Sequence, residues 1–164
     1  MTSSTWQKQR TCSPVPNTVS GRYGMVIPRF VRQALTGRPL TVFGTGDQVR
    51  CFCHVLDVIP ALVRLVQLDG ATGLAVNLGS SQQVSIAQLA RMVIAVTGSS
   101  SGIEHRSYRN VYGSSHEDVQ RRVPDCTLAG QLVGFEARTP LEEIIQSVSA
   151  DQWNRIATAA AVGT

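Results

Sequence analysis

The chain has 164 residues, 43% of them hydrophobic and 16% charged, an ordinary globular composition that excludes a disordered tail, a collagen or a coiled coil. Its net charge of +4 rests on fourteen arginines and one lysine, Lys8, which fall singly or in pairs among only 5% aromatic residues; that pattern speaks against a nucleic-acid partner and suits contacts to carboxylate or phosphate. No apolar run approaches the ~18 residues needed to cross a bilayer and the N-terminus lacks an apolar signal region, so the four cysteines (Cys12, Cys51, Cys53, Cys126) read as reduced thiols in a soluble, cytoplasmic protein without a membrane partner.

In chain order, residues 1–16 are rich in Ser, Thr and Pro, show neither helical nor strand period, and are expected to form a disordered leader. Pro28 at a first helical position, apolar Phe30, Val31, Ala34 and Leu35, and Gly37 just beyond them predict a short helix. Leu40–Phe43 reads as a strand, Gly44-Thr45-Gly46-Asp47 as a turn, and residues 48–55 as a second β segment. Asp57 is placed to cap a helix in which Val58, Ile59, Leu62, Val63, Leu65 and Val66 are apolar around most of the circumference, with Pro60 in its first turn and Gly70 at its end. A helix so apolar is expected to be buried on more than one side.

Residues 74–78, LAVNL, read as a short buried strand. Ser85 and Gln88 have capping-box spacing, Val84 and Leu89 can form a hydrophobic staple, and Ile86, Leu89, Ala90 and Val93 share one helical face before Gly98. Residues 103–107 predict a strand, and residues 108–123 form a polar, aperiodic stretch of the length of a binding loop. Asp125 caps a further helix through Val133, and Thr139-Pro140-Leu141-Glu142 opens another, with Ile144, Ile145 and Val148 at helical spacing before an Ala-rich tail from Asp151. Such an order describes a mixed α/β or α+β domain.

Three segments carry possible chemistry. The glycine turn at 44–47, read as part of a hairpin, lets the backbone approach a ligand, and Arg50 on the following strand can present a bidentate fork to phosphate oxygens. It is no dinucleotide fingerprint, since it lies between strands and lacks the third glycine. The adjacent Arg121 and Arg122 are either a solvated pair or an anion site. Cys51-Phe52-Cys53-His54 offers only two metal donors on one strand face, so the cysteines read as small apolar residues and no metal site is expected. His116, beside Glu117 and Asp118, reads as a solvated loop residue, and no Ser/His/Asp arrangement is present.

Eight motifs then occur in order: NTV at 17–19, VIPRFVRQAL at 26–35, PLTVFGTGDQVR at 39–50, HVLD at 54–57, VNLG at 76–79, VSIAQLA at 84–90, RRVPD at 121–125 and LVGFEARTPLEE at 132–143. This series resembles the C-terminal, substrate-binding half of the NAD-dependent nucleotide-sugar epimerases, dehydratases and decarboxylases, which are extended short-chain dehydrogenases/reductases, and looks most like their UDP-glucuronate decarboxylase and UDP-glucose 4-epimerase branches. The resemblance implies a nucleotide-sugar-binding domain at 17–149, between the leader and an Ala-rich tail at 150–164, with UDP-sugar as partner. It implies substrate-binding roles for Asn17, Val26, Phe30, Phe43, Arg50 and Arg122. The two arginines would contact the diphosphate or its ribose, while Phe43 and the backbone around Val26 to Phe30 would wall the base.

The departures from the family pattern are as informative. Its glycine-rich NAD turn has no counterpart, so no cofactor residue is assigned here although the family uses NAD. Its catalytic tyrosine is followed four residues later by lysine, whereas Tyr23, Tyr108 and Tyr112 are followed at that spacing by Ile27, Tyr112 and His116, so no catalytic residue is assigned either. Ser20-Gly21-Arg22 also stands where the family inserts Gly-Pro-Arg and further residues. The expectation is a truncated or rearranged chain, a partial fold lacking the N-terminal Rossmann half, that binds nucleotide-sugar without redox chemistry of its own. The alternative is a non-catalytic binding or regulatory subunit that docks on a full-length homologue or a separate NAD domain. In either case the apolar helix near residues 58–68 is expected to lack its usual cover and expose an apolar patch.

Overall fold

A computed structural model of the chain describes residues 25–107 and 119–162. In order these form α1 (Val26–Leu35), β1 (Leu40–Phe43), β2 (Val49–Cys51), α2 (Val55–Gln67), β3 (Gln83–Ser85), α3 (Ile86–Thr97), β4 (Ile103–Arg106), α4 (Thr127–Val133) and α5 (Leu141–Val162). Asn17, the leader at 1–16 and the stretch at 108–118, with Tyr108, Tyr112 and His116, lie outside the described residues.

The main core is built by three helical stripes closing on one strand face. Helix α1 buries Ile27, Phe30, Val31 and Ala34, and α3 buries Ile86, Leu89, Ala90 and Val93, the same i, i+3, i+4, i+7 spacing in both. Leu141, Ile144 and Ile145 of α5 complete the helical layer, while Leu40 and Val42 enter from β1. The α3 start forms as its spacing dictates: Ser85 Oγ accepts from Gln88 N at 3.1 Å, Gln88 Oε1 accepts from Ser85 N at 3.1 Å, and Val84 and Leu89 are both buried. Gly98 closes it in the left-handed region at φ 61°.

The strands pair differently from a hairpin. β1 runs parallel to β4, with Leu40 opposite Ile103 and Phe43 opposite Arg106, and β2 runs antiparallel to β3, with Arg50 opposite Val84. Turn 44–47 therefore joins two separate two-stranded sheets. Its geometry is set by α3: Ala87 N donates to Gly46 O at 2.9 Å and Ile86 N donates to Gln48 O at 3.1 Å, so turn carbonyls satisfy amides that a helix start leaves open. Gly46 has φ +83°, and a Cβ there would come within 2.9 Å of Val42 Cγ1 and 3.0 Å of the Ala87 Cβ. The glycine thus serves helix packing as well as backbone conformation.

Several expectations are corrected. Helix α1 begins at Val26, which puts Pro28 at its third residue. β2 is confined to Val49–Cys51, far shorter than 48–55. His54, not Asp57, caps α2, its Nδ1 accepting from Leu56 N at 3.1 Å; the helix accordingly starts earlier and Pro60 is its sixth residue. Asp57 instead accepts from Thr139 N at 3.1 Å and ties α2 to the segment leading into α5. Residues 74–78 are not a strand, because no described strand pairs with them, and Leu74 is 49% exposed. Of α2 only Ala61 is buried, on a small second core with Ala129 and Phe135, so the helix is covered on one side alone. Asp125 does accept from Thr127 N at 3.0 Å, although α4 begins at Thr127 with Cys126 in the cap position. The segment from Asp151 continues α5 as helix to Val162.

Replacing Gly46 with Ala is expected to destabilise the fold by about 3 kcal/mol, through a strained positive φ and overpacking, whereas Ser85→Ala should cost about 1 kcal/mol as a lost cap. Urea denaturation of the two variants checks the order; an equal or inverted effect would show that the turn is not held by α3.

Candidate functional site

The second sheet brings the two candidate arginines to neighbouring positions. Val49 forms a parallel bridge with Arg121, in which Val49 N donates to Gln120 O at 2.7 Å and Arg122 N donates to Val49 O at 3.2 Å. One residue further along each chain stand Arg50 and Arg122, so strand pairing sets them side by side although 72 positions separate them in sequence. Arg50 Nη1 donates to Val49 O at 2.8 Å, which folds its guanidinium back along its own strand. Arg122 is exposed and its side chain makes no hydrogen bond with a described residue.

Its neighbour behaves otherwise. Arg121 Nε donates to Gln83 Oε1 at 3.0 Å, anchoring residues 120–122 across β2 to β3. The two arginines therefore differ: Arg121 ties the 120–122 segment to β3, and Arg122 faces solvent. The signal for this division was absent from the sequence, since it depends on which arginine lies across from Gln83.

The candidate base wall is less open than its motif suggests. Val26 is half-buried against the main core at the start of α1, Phe30 is 0% exposed and Phe43 is 7% exposed. The Arg29 guanidinium lies over both rings, its Cζ 5.5 Å from the Phe30 centroid and 5.0 Å from that of Phe43. Gln48 Nε2, itself buried, donates to Phe43 O at 3.1 Å, linking the end of β1 to the residue just before β2. Arg29 and Gln48 are functional candidates that motif reading passed over. Arg29 sits beside Phe30 within a quoted motif, but only the packing of α1 on β1 reveals what it covers.

The glycine turn at 44–47 and the start of α3 do not fit the pyrophosphate of NAD. A dinucleotide needs open amides at a helix start behind a glycine turn. Here Gly46 O and Gln48 O take the first amides of α3, Ser85 takes the amide of Gln88, and a Cβ at Gly46 would strike protein atoms. Nor do three His, Cys, Asp or Glu side chains converge in a manner that could hold a metal ion among the described residues. Cys51, Cys53 and Cys126 are free and half-buried, and burial pushes all three thiols up. For Cys51 the nearby Arg121 partly offsets that rise; for Cys53 the charge of Asp57 adds to it. Thr127 holds the Asp125 carboxyl low, through its side chain and its backbone N–H.

Comparison with known proteins places this geometry in a class. The NAD dependent epimerase/dehydratase family model matches residues 5–79, a segment that starts ahead of Asn17. A UDP-N-acetyl-alpha-D-glucosaminuronate decarboxylase of Bacillus cytotoxicus is 34% identical over 140 residues, 85% of this chain and 43% of that protein. UDP-glucuronic acid decarboxylase 1 of Xenopus tropicalis is 40% identical over 120 residues, 73% of this chain and 27% of that protein. The fold is that of the epimerases: a UDP-glucuronic acid 4-epimerase from Bacillus cereus, solved with UDP-glucuronic acid and NAD, superposes with TM-score 0.68 at 23% identity over 80% of this chain and 40% of its own. An epimerase from Methanothermobacter thermautotrophicus gives 0.70 at 23% identity over 82% and 39%.

The chain is thus similar over part of its length to the NAD dependent epimerase/dehydratase family model, and to UDP-sugar decarboxylases and epimerases. The chain spans less than half the length of the curated relatives just named. Among the described residues no helix is long and apolar enough to cross a membrane.

Because burial disfavours the thiolate, Cys51, Cys53 and Cys126 are expected to react with iodoacetamide at pH 7.5 several-fold more slowly than a free cysteine and to accelerate only above the ordinary thiol range. A Cys12→Ser variant isolates them. Peptide-resolved rates matching free cysteine would contradict the burial of these groups.

Proposed function

We propose that this chain is the nucleotide-sugar-binding part of an NAD-dependent epimerase/dehydratase-like enzyme, that its ligand is a UDP-sugar, and that it carries out no hydride transfer alone. The observation that supports this reading is the bridge between Val49 and Arg121, which seats Arg50 and Arg122 next to one another. Guanidinium groups at two adjacent backbone positions can each give paired N–H donors to anionic oxygens. Arg122 is exposed at this position and ready to meet a ligand. Like-charged neighbours repel, so an anion between them removes a cost as well as adding hydrogen bonds.

Asn17 belongs to the same reading by family motif, and the hydride chemistry of the relatives would require residues that this sequence does not show at the family spacing. The glycine turn and the start of α3 are already committed to each other.

A second reading is favoured by one surface. Along α2, Val55, Leu56, Ile59, Leu62, Val63 and Val66 are 58, 71, 48, 47, 49 and 80% exposed. Their spacing gathers them into a continuous stripe about a third of the helix circumference wide, opposite the side on which Ala61 packs. Residues 74–78 pair with no described strand, and Val76 and Leu78 pack on the small core that Ala61 joins. Such a stripe is a docking face, and the reading it supports is a subunit that binds an NAD-binding domain or a full-length homologue.

Calorimetric titration with UDP tests the first reading. Arg50→Ala and Arg122→Ala are each expected to weaken binding by roughly 10- to 100-fold, the worth of a charge-assisted contact, and to leave the thermal melt in place. Unchanged UDP affinity in the double variant would refute it. For the second reading, Leu62→Glu with Val66→Glu should abolish co-purification with a co-expressed full-length homologue and raise the solubility of the isolated chain; retained co-purification sinks it.

A further inference from the structure

Two cysteines converge where the segments joined by the Val49–Arg121 bridge run on toward the small core. The segments leave the bridge in the same direction, and Cys53 comes four residues, Cys126 five residues, beyond it. Both pack on the cluster of Ala61, Ala129 and Phe135. Cys51 stands instead within β2, opposite Gln83 of β3. Cys53 and Cys126 thus reach one patch from positions 73 residues apart in sequence.

The electrostatics agree with that placement. Burial raises the Cys53 thiol most, the charge of Asp57 next, and a charge on Cys126 adds to both. At Cys51 burial again leads, Arg121 opposes it, and a charge on Cys126 adds to it. The thiols of Cys53 and Cys126 are loosely engaged: Cys126 Sγ donates to Gly79 O at 3.4 Å and Cys53 Sγ donates to His54 O at 3.7 Å. A thiol is a weak donor, so giving up these contacts costs little. Among the described residues no three donors gather into a metal cage, which leaves sulfur-to-sulfur chemistry as what the two side chains can share.

We infer that Cys53 and Cys126 are an oxidisable pair that closes into an intramolecular disulfide, cross-linking the segment after β2 to the start of α4. With glutathione disulfide as the oxidant, one protein thiolate attacks a glutathione sulfur and expels the first glutathione thiolate. The other protein thiolate then attacks the protein sulfur of this mixed disulfide and expels the second. Two protein thiols lose two electrons and two protons, and glutathione disulfide takes them up as two glutathione thiols. Burial holds both protein thiols protonated at neutral pH, so closure speeds up as pH rises into the thiol range. The new bond spans 73 positions, a long loop of the kind whose closure constrains the unfolded chain strongly. It also ties the segment that carries Arg50 to the one that carries Arg122, and nothing in this chemistry requires a bound nucleotide.

The test uses the full chain as a Cys12→Ser variant, incubated with excess glutathione disulfide, alkylated, and mapped by mass spectrometry without reduction. The expected product is a monomer lighter by two hydrogen atoms, with the Cys53 and Cys126 peptides linked and Cys51 alkylated. Its melting temperature should rise by roughly 5–10 °C over the reduced chain and return on adding dithiothreitol. Adding Cys51→Ala should leave this oxidant-induced rise in place, whereas adding Cys53→Ala or Cys126→Ala should remove it. Each variant is compared with its own reduced form, so a general loss of stability does not imitate the result, and the peptide map decides even where a variant fails to fold. A link that includes Cys51, a disulfide between two copies of the chain, glutathione retained on the separate cysteines, or thiols left unchanged at pH 9 would each overturn the inference.

Discussion

The docking of the 44–47 turn on the start of α3 is the contact on which the site depends. Two backbone hydrogen bonds, from Ala87 N to Gly46 O and from Ile86 N to Gln48 O, hold a turn from which β1 and β2 depart into different sheets. Phe43 and the aromatic layer lie on one side of that turn; Arg50 lies on the other. Because Gly46 has a positive φ and no room for a Cβ, the separation of these two ends is fixed by backbone geometry and close packing against Val42 and Ala87. The buried Gln48 amide on Phe43 O reinforces the same joint from within.

From this joint the two ends of the site acquire different characters. The Arg50 and Arg122 end is made by strand pairing, with Arg121 spent on Gln83 and Arg122 at the surface one residue beyond the bridge. The Phe30 and Phe43 end is made by helix-on-strand packing, with Arg29 and Gln33 both fastened to Thr41. The glycine turn is committed to packing, its Gly46 carbonyl accepting from the Ala87 amide of α3. A glycine-rich turn near arginines is thus a structural hinge here, and the arginines owe their position to it.

The second, smaller core shows the opposite situation. Ala61, Ala129 and Phe135 join α2 to α4, and Asp57 reaches Thr139, but these contacts use only one side of α2. The stripe from Val55 to Val66 stays in water, where each large apolar side chain forgoes on the order of 1–2 kcal/mol of burial. Residues 74–78 pair with no described strand. The apolar composition of both segments and their lack of cover are one fact: the sequence is suited to a larger apolar surface than the described residues provide.

What the amino-acid sequence determined by itself is the set of elements whose signals are local. The capping box at Ser85 and Gln88, the apolar spacing of α1 and α3, the stop at Gly98 and the strand character of Leu40–Phe43 and of residues 103–106 all depend on neighbours within a turn or two, and all were legible. The cap of α2, the state of LAVNL and the pairing of β1 were not, because each is a competition between distant groups. His54 takes the helix amide since Asp57 is drawn to Thr139, LAVNL needs a partner strand to become one, and β1 meets β4 across sixty residues of chain. The same reason divides the site: sequence order marks Arg50, Arg122, Phe30 and Phe43 as candidates, while only the tertiary structure decides that Arg50 and Arg122 are neighbours, that the rings are covered, and that Arg29 covers them.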